Sequence, residues 1–152
     1  MKHGIDCGGW CPAGRLDEFG RIPDRYPVKE LKHGNKKGRS PGRRGDRSEP
    51  EYGSFADRTL ANVRDSQATI AIYHVDLAGG TKYAIECCIE QNRPYFLIDA
   101  AKMSAEGAAN LILDLVRKHK IDILNVAGPR QSEWPGGYDY AFRVMDMFLR
   151  TL

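Results

Sequence analysis

Residues 68–92 decide the fold, and they are ATIAIYHVDLAGGTKYAIECCIEQN. The first six or seven residues form a short, β-branched and nearly continuous apolar run, which predicts a strand buried on both faces, as in a parallel sheet. The last part places Ala84, Ile85, Cys88 and Ile89 on one stripe, which predicts an amphipathic helix. A Gly-Gly-Thr sequence lies between them, so this stretch predicts a strand, a glycine turn and a helix in succession.

The glycine turn between this strand and this helix is a candidate anion site. Gly79 and Gly80 allow backbone N–H groups to approach a ligand closely. Thr81 is predicted to cap the helix, whose positive N-terminal end faces the same place. The alternative is an ordinary strand-to-helix turn in which glycine only makes the turn tight.

The rest of the chain continues this alternation. Further buried strands are predicted at 94–99 and 121–126, and a shorter strand at His3–Cys7. Helices are predicted at 55–66, after the N-cap Ser104, and along an apolar stripe from Tyr138 to Leu152. From residue 69 onward the order β-α-β-α-β-α predicts a Rossmann-like, open and mostly parallel α/β sheet with helices on both faces, in three α/β/α layers.

Ligands in such sheets bind beyond the carboxyl ends of the strands. Three turns rich in glycine or polar residues are predicted to lie there, at Cys7–Arg15, Leu77–Thr81 and Ala127–Gly137. Trp10, in the first of these turns, could stack on a planar ligand or fill the edge of the core.

The composition is typical of a single globular domain spanning residues 1–152, with 41% hydrophobic and 28% charged residues. No apolar run approaches the roughly 18 residues of a membrane span and no signal peptide is evident, so we expect a cytoplasmic protein without a membrane partner. The four cysteines match no zinc-binding spacing and do not indicate a disulfide scaffold, so no metal site is predicted.

The basic charge is concentrated in one segment. Lys32 to Arg47 contains seven Lys or Arg residues and one Asp. Because the whole chain carries +3 and this segment +6, the rest of the chain carries −3. Residues 32–51 contain no apolar side chain, which predicts a mobile surface insertion. An arginine-rich nucleic-acid arm is the alternative, but no aromatic residue lies between the charges to stack on bases.

Four blocks of sequence together resemble the family known as "putative molybdenum carriers", which is related to YpsA-like proteins of the SLOG superfamily. The blocks are GGWCPAGR at 8–15, RT…NVRDS at 58–66, GGT at 79–81 and LNVAGPRQS at 124–132. The resemblance implies a Rossmann-like domain that binds a nucleotide- or pterin-type anionic ligand. It implies molybdopterin, the molybdenum cofactor, or a nucleotide as the candidate cofactor, with a carrier role.

The turns that carry the resemblance supply the predicted ligand contacts. Thr81 and the backbone of the two preceding glycines would hold phosphate, and Arg130 and Ser132 would donate hydrogen bonds from the opposite turn. Trp10 would border the pocket. The predicted ligand-binding residues are Gly8, Gly9, Trp10, Gly79, Gly80, Thr81, Gly128, Arg130 and Ser132.

An enzyme is the second hypothesis, because the LOG branch of the same superfamily hydrolyses nucleoside monophosphates as a phosphoribohydrolase. That branch resembles Pro-Gly-Gly-x-Gly-Thr-x-x-Glu, and Gly79, Gly80 and Glu86 fall in register with it. Lys82 and Tyr83 replace the later glycine and threonine of that pattern. Glu86 is therefore the candidate catalytic carboxylate, and a solvated helix glutamate is the alternative.

The chain departs from the family pattern at its start. Family members begin with a strand, a Gly-Gly-Gln-Thr-Gly loop and a helix, and this chain begins after them. The resemblance therefore implies a domain truncated at its N-terminus. A sheet edge exposed by the missing strand favours self-association, so a homo-oligomer is expected.

Overall fold

The computed structural model describes residues 4–32 and 55–152. Within these residues, four short strands precede four helices that alternate with three longer strands. The elements are β1 (Trp10–Cys11), β2 (Leu16–Asp17), β3 (Gly20–Arg21), β4 (Lys29–Glu30), α1 (Phe55–Arg64), β5 (Ala68–Tyr73), α2 (Gly79–Glu90), β6 (Tyr95–Asp99), α3 (Ala105–His119), β7 (Leu124–Ala127) and α4 (Gly137–Thr151).

The main sheet has three parallel strands in the order β6-β5-β7. Strand β5 lies in the middle, with Ile70 paired to Phe96 on one side and to Val126 on the other. Residues 68–72 are all buried, as the apolar run predicted. The predicted open, mostly parallel α/β class is therefore confirmed.

The two faces of β5 pack against different helices, because successive side chains of a strand point to opposite sides. Ile70 and Ile72 belong to a buried cluster with Ile112 of α3 and Val144 of α4. Full burial of such a side chain contributes about 1.5–3 kcal/mol. On the opposite face β5 contacts α2, which packs against α1 in turn. The helices thus cover both faces of the sheet.

The outer strands are less buried than the sequence predicted. Tyr95 and Leu97 of β6 are 37% and 43% exposed, and Val126 of β7 is 40% exposed. Among the described residues, β6 and β7 each pair only with β5, so both are edge strands. Their apolar runs resemble that of β5, and only the position in the sheet distinguishes a central strand from an edge strand.

In two helices, the buried residues differ in part from the predicted ones. In α2, Ile89 is 61% exposed, whereas Cys87 is buried. In α4, Tyr138 is 70% exposed, whereas Tyr140 and Val144 are buried. The buried face of α2 is the one that packs against α1, and the buried face of α4 is the one that packs against α3. The N-cap of α3 is confirmed, since the Oγ of Ser104 accepts a hydrogen bond from the N–H of Gly107 at 3.1 Å.

The first strand lies later than predicted. The described part of His3–Cys7, from Gly4 onward, is not a strand, and β1 instead pairs Trp10 and Cys11 in parallel with β4. Strands β2 and β3 form an antiparallel hairpin beside it. The guanidinium of Arg15 holds this region together, because it donates to the carbonyl oxygens of Val28 at 2.9 Å and Tyr26 at 3.1 Å.

The predicted basic insertion falls almost entirely on residues 33–54, which lie outside the described residues. In the described part of the chain, no helix combines the length and the apolar character needed to span a bilayer.

Candidate anion-binding site

A cleft of about 240 Å³ opens at the carboxyl ends of β5 and β7. The chain leaves β5 toward α2 on one face of the sheet, and it leaves β7 toward α4 on the other. Adjacent strands whose connections diverge in this way form the topological switch point at which open α/β sheets bind ligands. The lining residues are Phe55, Ala56, Arg58, Thr59, Gly79, Gly80, Tyr83, Gly128, Arg130 and Glu133.

A second, larger cleft of about 320 Å³ lies between α3 and α4. The arginine that lines it, Arg150, pairs with Asp146 at 2.7 Å. Its positive charge is therefore already compensated, and we regard the cleft at the strand ends as the functional candidate.

The N-terminus of α2 contributes backbone donors to the cleft at the strand ends. The N–H of Lys82 donates to the carbonyl of Ala78 at 3.1 Å, so the N–H groups of residues 79–81 have no acceptor within the helix. Gly79 has a φ of +52°, a conformation that glycine adopts at low cost. Gly79 and Gly80 both line the cleft, and the partial positive charge of the helix end lies at the same place.

The predicted capping role of Thr81 is wrong. The residue before the helix is Ala78, which makes no side-chain capping bond, and the helix begins at Gly79. Thr81 therefore lies inside the first turn, 2% exposed, and its Oγ1 has no hydrogen-bond partner within the described residues. Because the two glycines are part of the helix, the helix start precedes the residue that the sequence suggested as its cap.

Two arginines bring positive charge to the cleft from different elements. The guanidinium carbon of Arg58, on α1, lies 5.5 Å from the ring centroid of Phe55, and that of Arg130, after β7, lies 5.6 Å from the same centroid. Burial lowers the pKa of Arg58, and the nearby charge of Arg130 lowers it further. Across residues 4–32 and 55–152, neither guanidinium forms an ion pair with a carboxylate. The described part of the cleft therefore holds two cations side by side.

Tyr83 adds an aromatic side chain to the lining. Burial raises the pKa of this phenol to about 12, and its contact with Cys87 acts in the same direction. The phenol is therefore protonated at neutral pH, and its hydroxyl is engaged by the Cys87 side chain.

Glu133 places one carboxylate in the cleft. Its Oε2 accepts a hydrogen bond from the backbone N–H of Arg130 at 3.0 Å. Its Oε1 lies 3.0 Å from the position that a Cβ on Gly79 would occupy. The carboxylate is thus held beside the first residue of α2, close to the N–H groups that have no acceptor within the helix.

The structure brings four of the predicted ligand-binding residues to this cleft: Gly79, Gly80, Gly128 and Arg130. Ser132 is not among the lining residues, and its Oγ donates to Glu18 Oε2 at 2.7 Å. Glu18 Oε1 also accepts from the N–H of Gln131 at 2.8 Å, so this carboxylate attaches the loop after β7 to the β2–β3 hairpin.

Gly8, Gly9 and Trp10 do not line the cleft either. The indole N–H of Trp10 donates to Asp65 Oδ2 at 2.7 Å, and its backbone N–H donates to Asn62 Oδ1 at 2.8 Å. Gly9 has a φ of +136° and passes so close to Asn62 that a Cβ would lie 3.0 Å from its Oδ1. These contacts attach the N-terminal segment to α1, which is a structural role.

Five lining residues with side chains suited to ligand contact were not predicted from the sequence: Phe55, Arg58, Thr59, Tyr83 and Glu133. Arg58 and Thr59 belong to one of the blocks that carry the family resemblance, but no ligand contact was predicted for them. Glu133 is three residues after Arg130, and only the turn between them brings its carboxylate to α2.

Glu86, the candidate catalytic carboxylate, is exposed on α2 and does not line the cleft. In the described ranges, no group of three or more His, Cys, Asp and Glu side chains is arranged to hold a metal ion.

An open parallel α/β sheet with a cleft at its switch point defines a Rossmann-like protein. The model of the "Circularly permutated YpsA SLOG family" matches residues 1–149, and the chain belongs to this family. The family resemblance of the four sequence blocks is therefore confirmed. The expected N-terminal truncation stays a prediction.

A solved structure supports the same assignment. The chain is similar to the crystal structure, at 1.45 Å resolution, of the "Putative molybdenum carrier protein" from Syntrophus aciditrophicus SB. The two share 33% sequence identity and a TM-score of 0.81, over 97% of this chain and 82% of that chain. No curated protein matches the sequence.

Proposed function

We propose that this protein is a carrier that binds the phosphate or another oxyanion group of a small nucleotide- or pterin-type ligand in the cleft at the strand ends. One observation carries the proposal: the cleft is lined by Arg58, by Arg130 and by the start of α2, whose first N–H groups have no acceptor among the described residues. Backbone N–H groups at a helix N-terminus and arginine are the donors that bind phosphate best in proteins.

The magnitudes favour an anion that the arginines contact directly. A hydrogen bond to a charged group contributes about 1.5–3 kcal/mol, and a neutral one about 0.5–1.5 kcal/mol. The guanidinium groups therefore outweigh the helix N–H groups in affinity, and the latter orient the anion. Phe55 and Tyr83 supply aromatic surface beside it for the rest of the ligand.

A molybdenum-containing cargo is consistent with this chemistry. Molybdopterin carries a phosphate group, and molybdate is itself an oxyanion. Arg58, Arg130 and the N–H groups of Gly79 and Gly80 would hold such a group. These groups are hydrogen-bond donors, so their contacts would be made to oxygen atoms of the cargo rather than to the metal.

The phosphoribohydrolase hypothesis receives no support from the placement of Glu86. A general acid or base must lie within hydrogen-bond reach of the reacting atoms, directly or through one water. Glu86 is exposed on α2 and is not among the residues that line the cleft. We therefore favour binding and transport over hydrolysis.

Isothermal titration calorimetry tests the proposal with inorganic phosphate, molybdate, a nucleoside monophosphate and a pterin phosphate as ligands. Arg130→Ala should weaken binding by about ten- to a hundredfold, since a charge-assisted contact is lost. Arg143→Ala is the matched control, because Arg143 is exposed on α4 and does not line the cleft. Equal affinity of the parent and of Arg130→Ala for every ligand would contradict the proposed site.

We also propose that the protein self-associates. In the described part of the chain, β6 and β7 each leave one edge unpaired, and such edges readily accept another strand. Sedimentation velocity should then give a mass above the 17.0 kDa of one chain. A single species of monomer mass at every concentration tested would contradict self-association.

A further inference from the structure

We propose that Glu133 makes the cleft selective for anions that carry a neighbouring hydrogen-bond donor, such as a phosphorylated hydroxy or amino compound, over bare oxyanions. The inference rests on the proposed anion-binding function and deepens it, since it specifies the chemical class of the ligand.

The position of the carboxylate is held by the protein. The N–H of Arg130 donates to Oε2, and the N–H of Glu133 itself donates to the carbonyl of Arg130 at 3.0 Å. These two hydrogen bonds close a tight turn at residues 130–133 and fix both the backbone and the carboxylate of Glu133. The Glu133 carboxylate therefore has a defined position in the lining of the cleft.

The other carboxylate oxygen remains available to a ligand. Oε1 lies beside Gly79, and none of the described residues donates a hydrogen bond to it. An ionised carboxylate accepts hydrogen bonds and donates none. Oε1 is therefore a fixed acceptor beside the helix N–H groups and the two guanidinium groups, all of which are donors.

This acceptor penalises one kind of ligand and favours another. A bare phosphate near the start of α2 is attracted by both arginines but repelled by the charge of Glu133. A ligand with a hydroxyl or amino group beside its phosphate can donate to Oε1, which converts a repulsive neighbour into a hydrogen-bond partner. Selectivity of this kind combines attraction of the correct ligand with repulsion of the wrong one.

The test compares two probes, inorganic phosphate and ribose 5-phosphate, on the full chain by calorimetry. The parent should bind ribose 5-phosphate about tenfold more tightly than phosphate, since the sugar hydroxyls can donate to Oε1. Glu133→Gln should bind inorganic phosphate about three- to thirtyfold more tightly than the parent, because one negative charge is removed beside the anion. The ratio of its affinities for ribose 5-phosphate and for inorganic phosphate should fall toward one.

Glu86→Gln is the matched control, because it removes the same charge from an exposed position of α2 that does not line the cleft. It should leave both affinities and their ratio unchanged. Circular dichroism confirms that each variant is folded before titration.

Two results overturn the inference, and they are distinguishable. If phosphate binding depends on Arg130 but Glu133→Gln keeps the parent's ratio between the two probes, the role of Glu133 is wrong and the anion site stands. If no binding of either probe depends on Arg130, the proposed function fails, and the inference fails with it.

Discussion

Arg58 and Arg130, separated by 72 positions in the sequence, place their guanidinium groups within 5.6 Å of the centroid of the same Phe55 ring. Each gains a cation–π contact of roughly 0.5–2 kcal/mol. The two like charges nevertheless repel each other, and the pKa of Arg58 is lowered by burial and by Arg130. Within the described residues no carboxylate pairs with either group, so an anionic ligand would relieve this repulsion.

Arg58→Met should therefore stabilise the free protein while it weakens anion binding. The variant keeps most of the side-chain volume and removes a half-buried charge, so we expect the free energy of unfolding to rise by about 1 kcal/mol. Phosphate affinity should fall at least about tenfold. Urea unfolding and calorimetry measure the two effects. Arg143→Met should change neither, and a loss of stability in Arg58→Met would show that the charge of Arg58 is compensated in the folded protein.

Gly79 and Gly80 should differ sharply in their tolerance of alanine. Gly79 has a φ of +52°, and Glu133 Oε1 lies 3.0 Å from its Cβ position. For Gly80, no described atom outside its own helix backbone and chain neighbours lies within 4 Å of the Cβ position. Gly79→Ala should cost about 1–2 kcal/mol of stability, because an L side chain in this conformation is strained. Gly80→Ala should be neutral or slightly stabilising, because alanine is the better helix former. Thermal unfolding of both variants checks this, and equal effects would contradict it.

Val75 follows β5 and has a φ of +66°, which is unusual for a β-branched residue. It is 58% exposed, and its N–H donates to Asp99 Oδ1 at 3.2 Å. Val75→Gly should stabilise the protein by about 1 kcal/mol, since the backbone strain is removed while little buried apolar area is lost.

Val126→Gly is the matched comparison, because Val126 is exposed to a similar degree but lies within β7 and has an ordinary φ. It should destabilise the protein by about 1 kcal/mol. Urea unfolding of the two variants measures the contrast, and destabilisation by Val75→Gly would show that the turn does not strain valine.

Asp65 should make the attachment of the N-terminal segment sensitive to acid. Hydrogen bonds from Arg64 and from the indole of Trp10 lower the pKa of Asp65 to about 2, from its ordinary 3.8. A carboxylate with a lowered pKa contributes stability above its unfolded value, and this contribution is lost as the pH falls toward the folded value. The loss is therefore expected between about pH 4 and pH 2.

Asp65→Asn should be less stable than the parent at pH 7, by less than about 1 kcal/mol because the ion pair is exposed to solvent. The difference should shrink as the pH approaches 2. Thermal unfolding at several pH values measures it, with Asp114→Asn, an exposed change on α3, as the control. A difference between Asp65→Asn and the parent that is constant from pH 7 to pH 2 would contradict the assignment.

Local patterns of sequence were sufficient to predict the fold class and the main helices and strands. The apolar run at 68–72 and the part of the α2 stripe at Ala84, Ile85 and Cys88 depend on local periodicity, which is a property of consecutive residues. The same holds for Ser104, whose capping bond spans three positions. The glycine turn and Arg130 could also be selected, because both directly follow strands of a predicted parallel sheet.

Long-range packing determines which strand is central, where α2 begins and which side chains share the cleft. β5, β6 and β7 all have apolar runs, and their order in the sheet follows from long-range pairing. Arg58 reaches the cleft because α1 packs on α2, and Glu133 reaches Gly79 because the turn after β7 folds back toward the start of α2. Trp10 was separated from the cleft by its bonds to Asn62 and Asp65, more than fifty positions away. Contacts over such distances depend on packing, which local patterns of sequence do not encode.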